Sequence, residues 1–536
     1  MNPDSQPSEK IVFRWRAPSV RYRWGTSMRL TYLDLLVFVA GLTTLGTELS
    51  ASRLLAPAFG NSLPVWAALI GLILLYLSVG GWLGGRLADR WPRRDVLYRV
   101  TAWAAVALAL VPLLSRPVLH LAVSGVESFN VGLLAGSLLA VLLLFALPVT
   151  LLGGVSPWAI RLLTTDSAHS GRVAGRVTAV ATVGSLVGTF LPVFWLIPAF
   201  GTRRAIHSLS LFLLGVSVVG LWQEQRLRAV GYGLLWLLLA SLAWRTSVGP
   251  IKPESGLRYE TESAYNYIQV LERGGEFWLR LNEGAGLHSV YRPGAWLAEG
   301  IWDYFLIVPY FNPPPYDETD VHSLLLIGLA GGTVSKLYTR AYGPIPIDGV
   351  EIDPTIIAVG RRFFAMTEPN LNAVVADGRW FLSHTQQRYD VIAVDAYRPP
   401  YIPFYLTTRE FFALARNRLT DRGVVAVNVA RTHTDFRLVN AIASTMQAVF
   451  PSVYIIDEPD QGADIANSLV VGTVQPTQLE NWYANTARLQ QPMLVEMARR
   501  AGPHIRLAPP ASIILTDDHA PIEQIVHALI LAYLMQ

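Results

Sequence analysis

Hydrophobic and polar positions divide this chain into two halves. Between residues 32 and 244, long apolar runs alternate with short, arginine-bearing joints, giving Tyr32–Leu55, Val65–Leu87, Val100–Leu114, Asn130–Leu152, Val173–Phe200, Ala205–Trp222 and Ala229–Trp244. Most approach the ~20 residues an α-helix needs to cross a bilayer, although the third and seventh are short. Residues 1–31 are polar and basic, with no apolar core of their own, and predict a cytoplasmic tail rather than a cleavable signal. The run 248–256, rich in Pro and Gly, predicts a linker between a transmembrane domain at 32–247 and the rest. Beyond it the pattern shortens. Tyr265–Leu271 and Phe277–Leu281 alternate around Arg273-Gly-Gly275, predicting an antiparallel hairpin in a small β domain at 257–322, with a helix over Leu297–Tyr310. From Leu324 strands and helices alternate: Leu324–Ile327, Val334–Arg340, Ile347–Ile352, Pro354–Phe364, Ala373–Val375, Val391–Val394, Arg409–Leu419 and Val424–Asn428. That rhythm predicts a doubly wound α/β sheet over 323–536.

Composition sharpens the division. Only 15% of the 536 residues are charged, 52% are hydrophobic, and mean hydropathy is +0.36. A soluble protein of this size carries about 25% charge, so a large membrane-embedded part and a lipid bilayer partner are expected. Lysine occurs only at positions 10, 252 and 336, so the net charge of +4 rests on arginines placed between apolar runs. This is a topology signal, and without a basic stripe bearing interleaved aromatics no nucleic-acid partner is expected. The odd-numbered flanks carry sixteen Arg and Lys against four in the even-numbered ones, which puts the amino terminus in the cytoplasm of a multi-pass cell-membrane protein. Seven spans would then leave the carboxyl-terminal half outside, whereas nucleoside chemistry favours a cytoplasmic location; the seventh segment, lying along the surface, is the first candidate for a miscount. Gly84–Arg94 resembles the cytoplasmic signature loop of major-facilitator transporters but also serves as a positive topology anchor. The Gly80/Gly84 and Gly81/Gly85 pairs predict close helix approach. Glu48 is an intramembrane carboxylate, suited to a substrate role or to pairing with Arg53. Cysteine is absent, which excludes disulfides, thiol nucleophiles and Cys-based metal sites, and no His lies at metal spacing from the acidic pairs.

The chemistry concentrates in residues 324–431. A strand leads into the Gly-rich corner Gly328-Leu-Ala-Gly-Gly-Thr333; a second ends in Glu351-Ile-Asp353; an Asp377-Gly378 pair follows; another strand ends at Asp395. Acids at the carboxyl ends of successive parallel strands beside a Gly corner form a nucleoside site. Asp353 also reads as a helix N-cap before Pro354, and Asp377-Gly378 also reads as a turn.

With Ser263-Ala-Tyr-Asn266, Glu351-Ile-Asp353, Asp377-Gly378, Tyr389-Asp-Val-Ile-Ala-Val-Asp395, Pro399-Pro-Tyr-Ile-Pro403 and Leu406-Thr-Thr-Arg-Glu-Phe411, the soluble half resembles the spermidine synthase (polyamine aminopropyltransferase) family. The whole chain looks like its membrane-bound branch, a transporter-like helical region fused to a synthase domain. The resemblance implies a class I methyltransferase-like fold and transfer of aminopropyl from decarboxylated S-adenosylmethionine to putrescine or a related amine. Methylthioadenosine is released, and no cofactor is bound permanently. It implies that Glu351 holds the ribose hydroxyls, that Asp377 and Gly378 meet the adenine, that Asn266 and Gly328 border the nucleoside, and that Asp395 accepts the amine proton. It also exposes departures: Gly331 stands where the family has an amine-binding Asp, Trp302-Asp303 where it has His-Glu, and Arg398 where it has an Asp. Asp303, Glu299 and the Thr516-Asp517-Asp518-His519 cluster are candidate replacements, with Asp303 and Asp517 taken as amine ligands. A homodimer is a further expectation. An S-adenosylmethionine-dependent methyltransferase, or a transporter or sensor whose nucleoside domain only binds, are the competing functions.

Overall fold

The computed structural model describes residues 31–59, 63–129, 133–246, 251, 254–282, 286–397, 402–459, 465–526 and 528. The basic tail up to residue 30, part of the linker, and Arg398 to Tyr401 fall outside these. The first half is helical: α1 (Tyr32–Phe59), α2 (Leu63–Arg90), α3 (Arg94–Phe129), α4 (Leu133–Gly153), α5 (Val155–Leu163), α6 (Ser170–Leu191), a π-helical turn (Pro192–Leu196), α7 (Ile197–Phe200), α8 (Thr202–Glu224) and α9 (Arg226–Thr246). Seven runs within them, from Tyr32–Leu55 to Arg226–Arg245, are long and apolar enough to cross a membrane. The third, expected to be short, belongs to a 36-residue helix. The seventh is also long and apolar enough to cross, and α9 packs against α8, where the Trp236 indole donates to the Leu211 carbonyl at 2.8 Å, while Tyr232 meets Trp103 of α3 edge to face.

Small residues set the spacing of the bundle by letting helix backbones approach closely. A Cβ at Gly80 would stand 2.0 Å from the Thr150 carbonyl oxygen, and one at Gly84 2.4 Å from Gly154 Cα. The Gly81/Gly85 pair does not share this role: Gly81 has nothing nearer than 3.9 Å and Gly85 faces open space. Polar contacts mark one face of the bundle. Asp95 accepts from Arg93 at 2.9 Å, Arg99 at 3.1 Å and Gln225 at 2.9 Å, while Arg176 donates to Asp34 at 3.0 Å and Arg161 to Asp89 at 3.0 Å. Glu48 and Arg53 form no ion pair; Arg53, toward the opposite end of α1, donates instead to the Tyr265 carbonyl at 3.0 Å.

Among the described residues, the soluble half holds two sheets. The smaller is antiparallel, in the order β1 (Leu257–Glu262), β2 (Tyr267–Arg273), β3 (Glu276–Leu281), β4 (Ser289–Tyr291), so the expected hairpin is the centre of a four-stranded sheet. The larger contains β5 (Leu324–Ile327), β6 (Ile347–Glu351), β7 (Leu371–Val375), β8 (Tyr389–Val394), β9 (Leu419–Thr432), β10 (Ser452–Asp457), β11 (Ile465–Thr473) and β12 (Ile505–Leu507), in the order β12-β10-β11-β9-β8-β5-β6-β7. β7, β6, β5, β8 and β9 run parallel; β11, β10 and β12 pair antiparallel. This is the methyltransferase-like arrangement, a doubly wound sheet with an antiparallel margin. β5 and β8 are buried along their whole length, which explains their unbroken apolar runs. One expected helix comes out differently: Leu297–Tyr310 contains a single α turn at Ile301–Tyr304, then a 3-10 stretch, Phe305–Phe311, carrying Pro309. Proline lacks the amide donor that a continued α-helix needs.

Candidate active site

The chain winds outward from β5 in both directions, to β6 and β7 on one side and to β8 and β9 on the other. The switch point between β5 and β8 is where a ligand crevice opens beyond the strand ends. Gly328 leaves β5 there with φ +93°, and a Cβ on it would lie 2.4 Å from the Asp395 carbonyl oxygen, so the two strand ends touch through backbone alone. A cavity of about 430 Å³ occupies this crevice, within the range of small-molecule sites. Asn266, Gly328, Glu351, Asp377, Gly378 and Asp395 all line it, although they are spread over 130 positions of sequence.

Glu351, at the end of β6, is 8% exposed and accepts from the amides of Asp353 at 3.1 Å and Ala330 at 3.0 Å. Burial pushes its carboxyl up to about 7, against the pull of those amides. Asp353 caps the helix Pro354–Phe363 by accepting from Thr355 N at 3.0 Å, as its place before Pro354 predicts. Its other oxygen accepts from Ser263 Oγ and from Asn266 Nδ2 at 3.0 Å. Asn266 also receives Asn282 Nδ2 on its own oxygen at 2.9 Å, so much of its amide serves the loop. Asp377 caps Gly378–His384 through Trp380 N at 2.9 Å and accepts from the Tyr405 hydroxyl at 2.9 Å. A carboxylate offers about four acceptor positions, which leaves room for a ligand amine. At Gly378 a Cβ would sit 2.3 Å from Ile327 Cγ2, so only glycine lets this helix start against β5.

Asp395 is the carboxylate beside the switch point. Asn428 Nδ2 of β9 donates to one oxygen at 2.8 Å and the Trp302 indole to the other at 3.0 Å. Burial raises its pKa to about 6, the two donors opposing. Trp302, at the position where the resemblance implies a histidine, thus serves as a donor to this acid.

The expected amine acids are engaged elsewhere. Asp303 is 1% exposed and accepts from the amides of Ala298 at 2.8 Å, Glu299 at 2.7 Å and Gly300 at 3.3 Å, a local cap away from the cavity wall. Asp517 grips Arg379 at 2.7 and 2.6 Å and accepts from Thr408 at 2.7 Å. Both were expected to hold an amine; Asp303 accepts instead from amides of its own loop, and Asp517 from Arg379 and Thr408, brought to it from distant parts of the chain. Glu299 pairs with Arg500 at 2.6 Å. Position 331 has no space for an acid, since a Cβ there would meet Ser289 Cβ at 2.9 Å and Phe364 at 3.1 Å. Among the cavity residues not legible in the sequence are His288 and Glu523. His288, whose Nε2 has no partner among the described residues, is pushed down to about 4 by burial; Glu523 lies just past the acidic cluster, on the wall built by residues 520–524. Neither belongs to a spaced motif; the only signal was the proximity of Glu523 to Asp517-Asp518.

Comparison with known proteins points to the same region. Residues 321–457 match the family described as the spermine/spermidine synthase domain. A probable polyamine aminopropyl transferase of Bifidobacterium longum is 29% identical over 293 residues, covering 52% of this chain and 64% of that protein, just under two thirds of its length. The polyamine aminopropyltransferase of Vibrio vulnificus is 28% identical over 49% of this chain and 87% of its own. That of Corynebacterium efficiens is 26% identical over 77% of this chain and 79% of its own, more than the soluble half can supply, so the similarity enters the helical half. This chain therefore carries a spermine/spermidine synthase domain, with polyamine aminopropyltransferases among its relatives, behind seven helices long and apolar enough to cross a membrane.

Proposed function

We propose that the protein is a membrane-anchored aminopropyltransferase that uses decarboxylated S-adenosylmethionine and releases methylthioadenosine. The carrying observation is Asp395, a buried carboxylate at the switch point, oriented by Asn428 and Trp302 and facing the same cavity as Glu351 and Asp377. Glu351 accepts the ribose hydroxyls, Asp377 and Gly378 meet the adenine, and Gly328 and Asn266 border the nucleoside. An amine nitrogen then bonds to the methylene carbon beside the sulfonium. The C–S bond breaks with its electron pair moving to sulfur, and the nitrogen's proton passes to Asp395. The sulfonium charge disappears in this step, so a carboxylate near the amine stabilises the ammonium as it forms.

Nucleoside binding has more support than recognition of a dication, because Asp303 and Asp517 are committed elsewhere and position 331 is closed. That observation favours a second reading, methyl transfer from S-adenosylmethionine on the same fold. Incubating the solubilised protein with each sulfonium donor and a panel of amines, with products identified by mass spectrometry, separates them. Aminopropylated product with methylthioadenosine supports the first; methylated product alone sinks it. The arginine asymmetry supports a cytoplasmic amino terminus; with all seven runs crossing, the soluble half lies on the opposite side, and with six it is cytoplasmic, where nucleoside chemistry favours it.

A further inference from the structure

Among the described residues, hydrogen bonds join the helical half to the soluble half at Thr202, Arg53 and Arg203, and the first two of these contacts fall on one short loop. Glu262, the last residue of β1, accepts from Thr202 N at 2.6 Å and Thr202 Oγ1 at 2.7 Å, at the amino end of the 23-residue α8. A carboxylate is favoured at that end by the exposed amides and the helix dipole. Gly201, with φ +83°, makes the approach possible, since a Cβ there would lie 2.8 Å from Glu262 Oε2. Three residues on, the Tyr265 carbonyl accepts from Arg53 Nη1 of α1 at 3.0 Å. The third contact, Arg203 to the Ile251 carbonyl at 3.4 Å, lies on the linker.

The same loop is a wall of the nucleoside cavity. Tyr265 and Asn266 line it. The loop is closed on itself by Ser263 Oγ, which accepts from Tyr265 N at 3.0 Å and Asn266 N at 2.9 Å. It passes its hold onward through Ser263 and Asn266 to Asp353, whose amide donates to Glu351 at 3.1 Å. Hydrogen bonds therefore run without a break from a membrane helix to the buried carboxylate of the site.

We infer that Arg53, Thr202 and Glu262 are positioning residues of the nucleoside site, through which the helical half holds the 262–266 loop against Asp353 and Glu351. The inference rests on the nucleoside reading of the cavity. It gives the helices a part in donor binding beyond anchoring. Spatial continuity alone does not demonstrate coupling, so the test measures it. Full-length protein in detergent is titrated calorimetrically with methylthioadenosine and assayed for turnover, as wild type and as Arg53→Gln, Thr202→Val and Glu262→Ala. Each variant is expected to bind the nucleoside roughly threefold to tenfold more weakly, the size of one ordinary hydrogen bond. The KM for the donor should rise in step while kcat at saturation stays within about twofold, a split that general loosening does not produce. Arg53→Lys, which keeps a cationic donor, should recover most of the loss, and Thr202→Val/Glu262→Ala should be no worse than the weaker single variant. Arg53→Gln, the mildest change, carries the test should the others lose their fold. Unchanged nucleoside affinity in the folded variants, or a fall in kcat with KM unchanged, overturns the inference and leaves the nucleoside reading standing. A wild type that binds no methylthioadenosine overturns both.

Discussion

Asp395 concentrates the chemistry in one side chain. Asp395→Asn keeps its size and much of its hydrogen bonding but removes charge and basicity. Turnover should fall by about 10²–10⁴-fold while methylthioadenosine affinity survives; wild-type turnover in this variant would remove Asp395 as the base. Its pKa fixes the sign of the pH profile. The ionised form accepts the proton, and burial holds the carboxyl at about 6, so kcat should climb as pH rises through about 6, not through the ordinary aspartate range. Asn428→Ala removes a donor that favours the charged form and should move that limb to higher pH; an unshifted limb in the folded variant would detach Asn428 from the titration. For Glu351, Glu351→Gln removes a charge-assisted contact of about 1.5–3 kcal/mol, or roughly 10–150-fold in affinity for methylthioadenosine. Unchanged affinity by calorimetry counts against the ribose role.

At the scale of elements, the corner after β5 decides what the pocket can hold. Gly331 packs against Ser289 of β4 and Phe364, and its amide donates to Ser289 Oγ at 2.8 Å. Restoring the family's acid by Gly331→Asp should therefore fail. The side chain has no room, and overpacking of this kind costs about 1–3 kcal/mol, read as a lower thermal unfolding midpoint with no gain in affinity for a diamine. A stable Gly331→Asp protein with tighter diamine binding would show that the corner opens in solution. The element pattern itself was largely readable. β5 and the Val391–Val394 run of β8 appear in the sequence as apolar runs ending in Gly or acid, because strands buried on both faces need uninterrupted hydrophobic residues, whereas β6 (Ile347–Glu351), broken by Asp348 and Gly349, is marked mainly by its terminal acid. The margin strands β10 to β12 were not read: β10 and β11 are consecutive and pair antiparallel, but β12 is only three residues long and joins β10 across the helices between β11 and β12.

At the scale of the molecule, arginine placement and helix count bear on one question. Arg93 and Arg99 meet Asp95 on the face where α2 joins α3, whereas the soluble half docks at Arg53 and Thr202, near the other ends of α1 and α8. With all seven runs crossing, the two lie on opposite sides of the bilayer. The absence of native cysteine makes this clean to test. A cysteine at position 93 should be shielded from an impermeant reagent outside intact cells, and one replacing the exposed Gln387 should react. Labelling at 93, or shielding at both positions, would overturn the arrangement.

The sequence alone determined what local periodicity carries: seven apolar runs, the strand–helix rhythm after Leu324, the capping of the next helix by Asp353, and acids at strand ends where parallel sheets open their crevices. Each depends on neighbours within a few residues, so a linear reading reaches it. Tertiary structure decided the rest. Trp302 and Asn428 come to Asp395 from 93 and 33 positions away. Asp303 looked free in the sequence but closes on the amides of Ala298, Glu299 and Gly300, and Asp517 on Arg379, 138 residues distant. Gly331 looked like a lost acid and is a packed corner. A carboxylate binds whichever donors the fold brings within about 3 Å, and which donors those are is set by the packing of whole elements rather than by spacing along the chain.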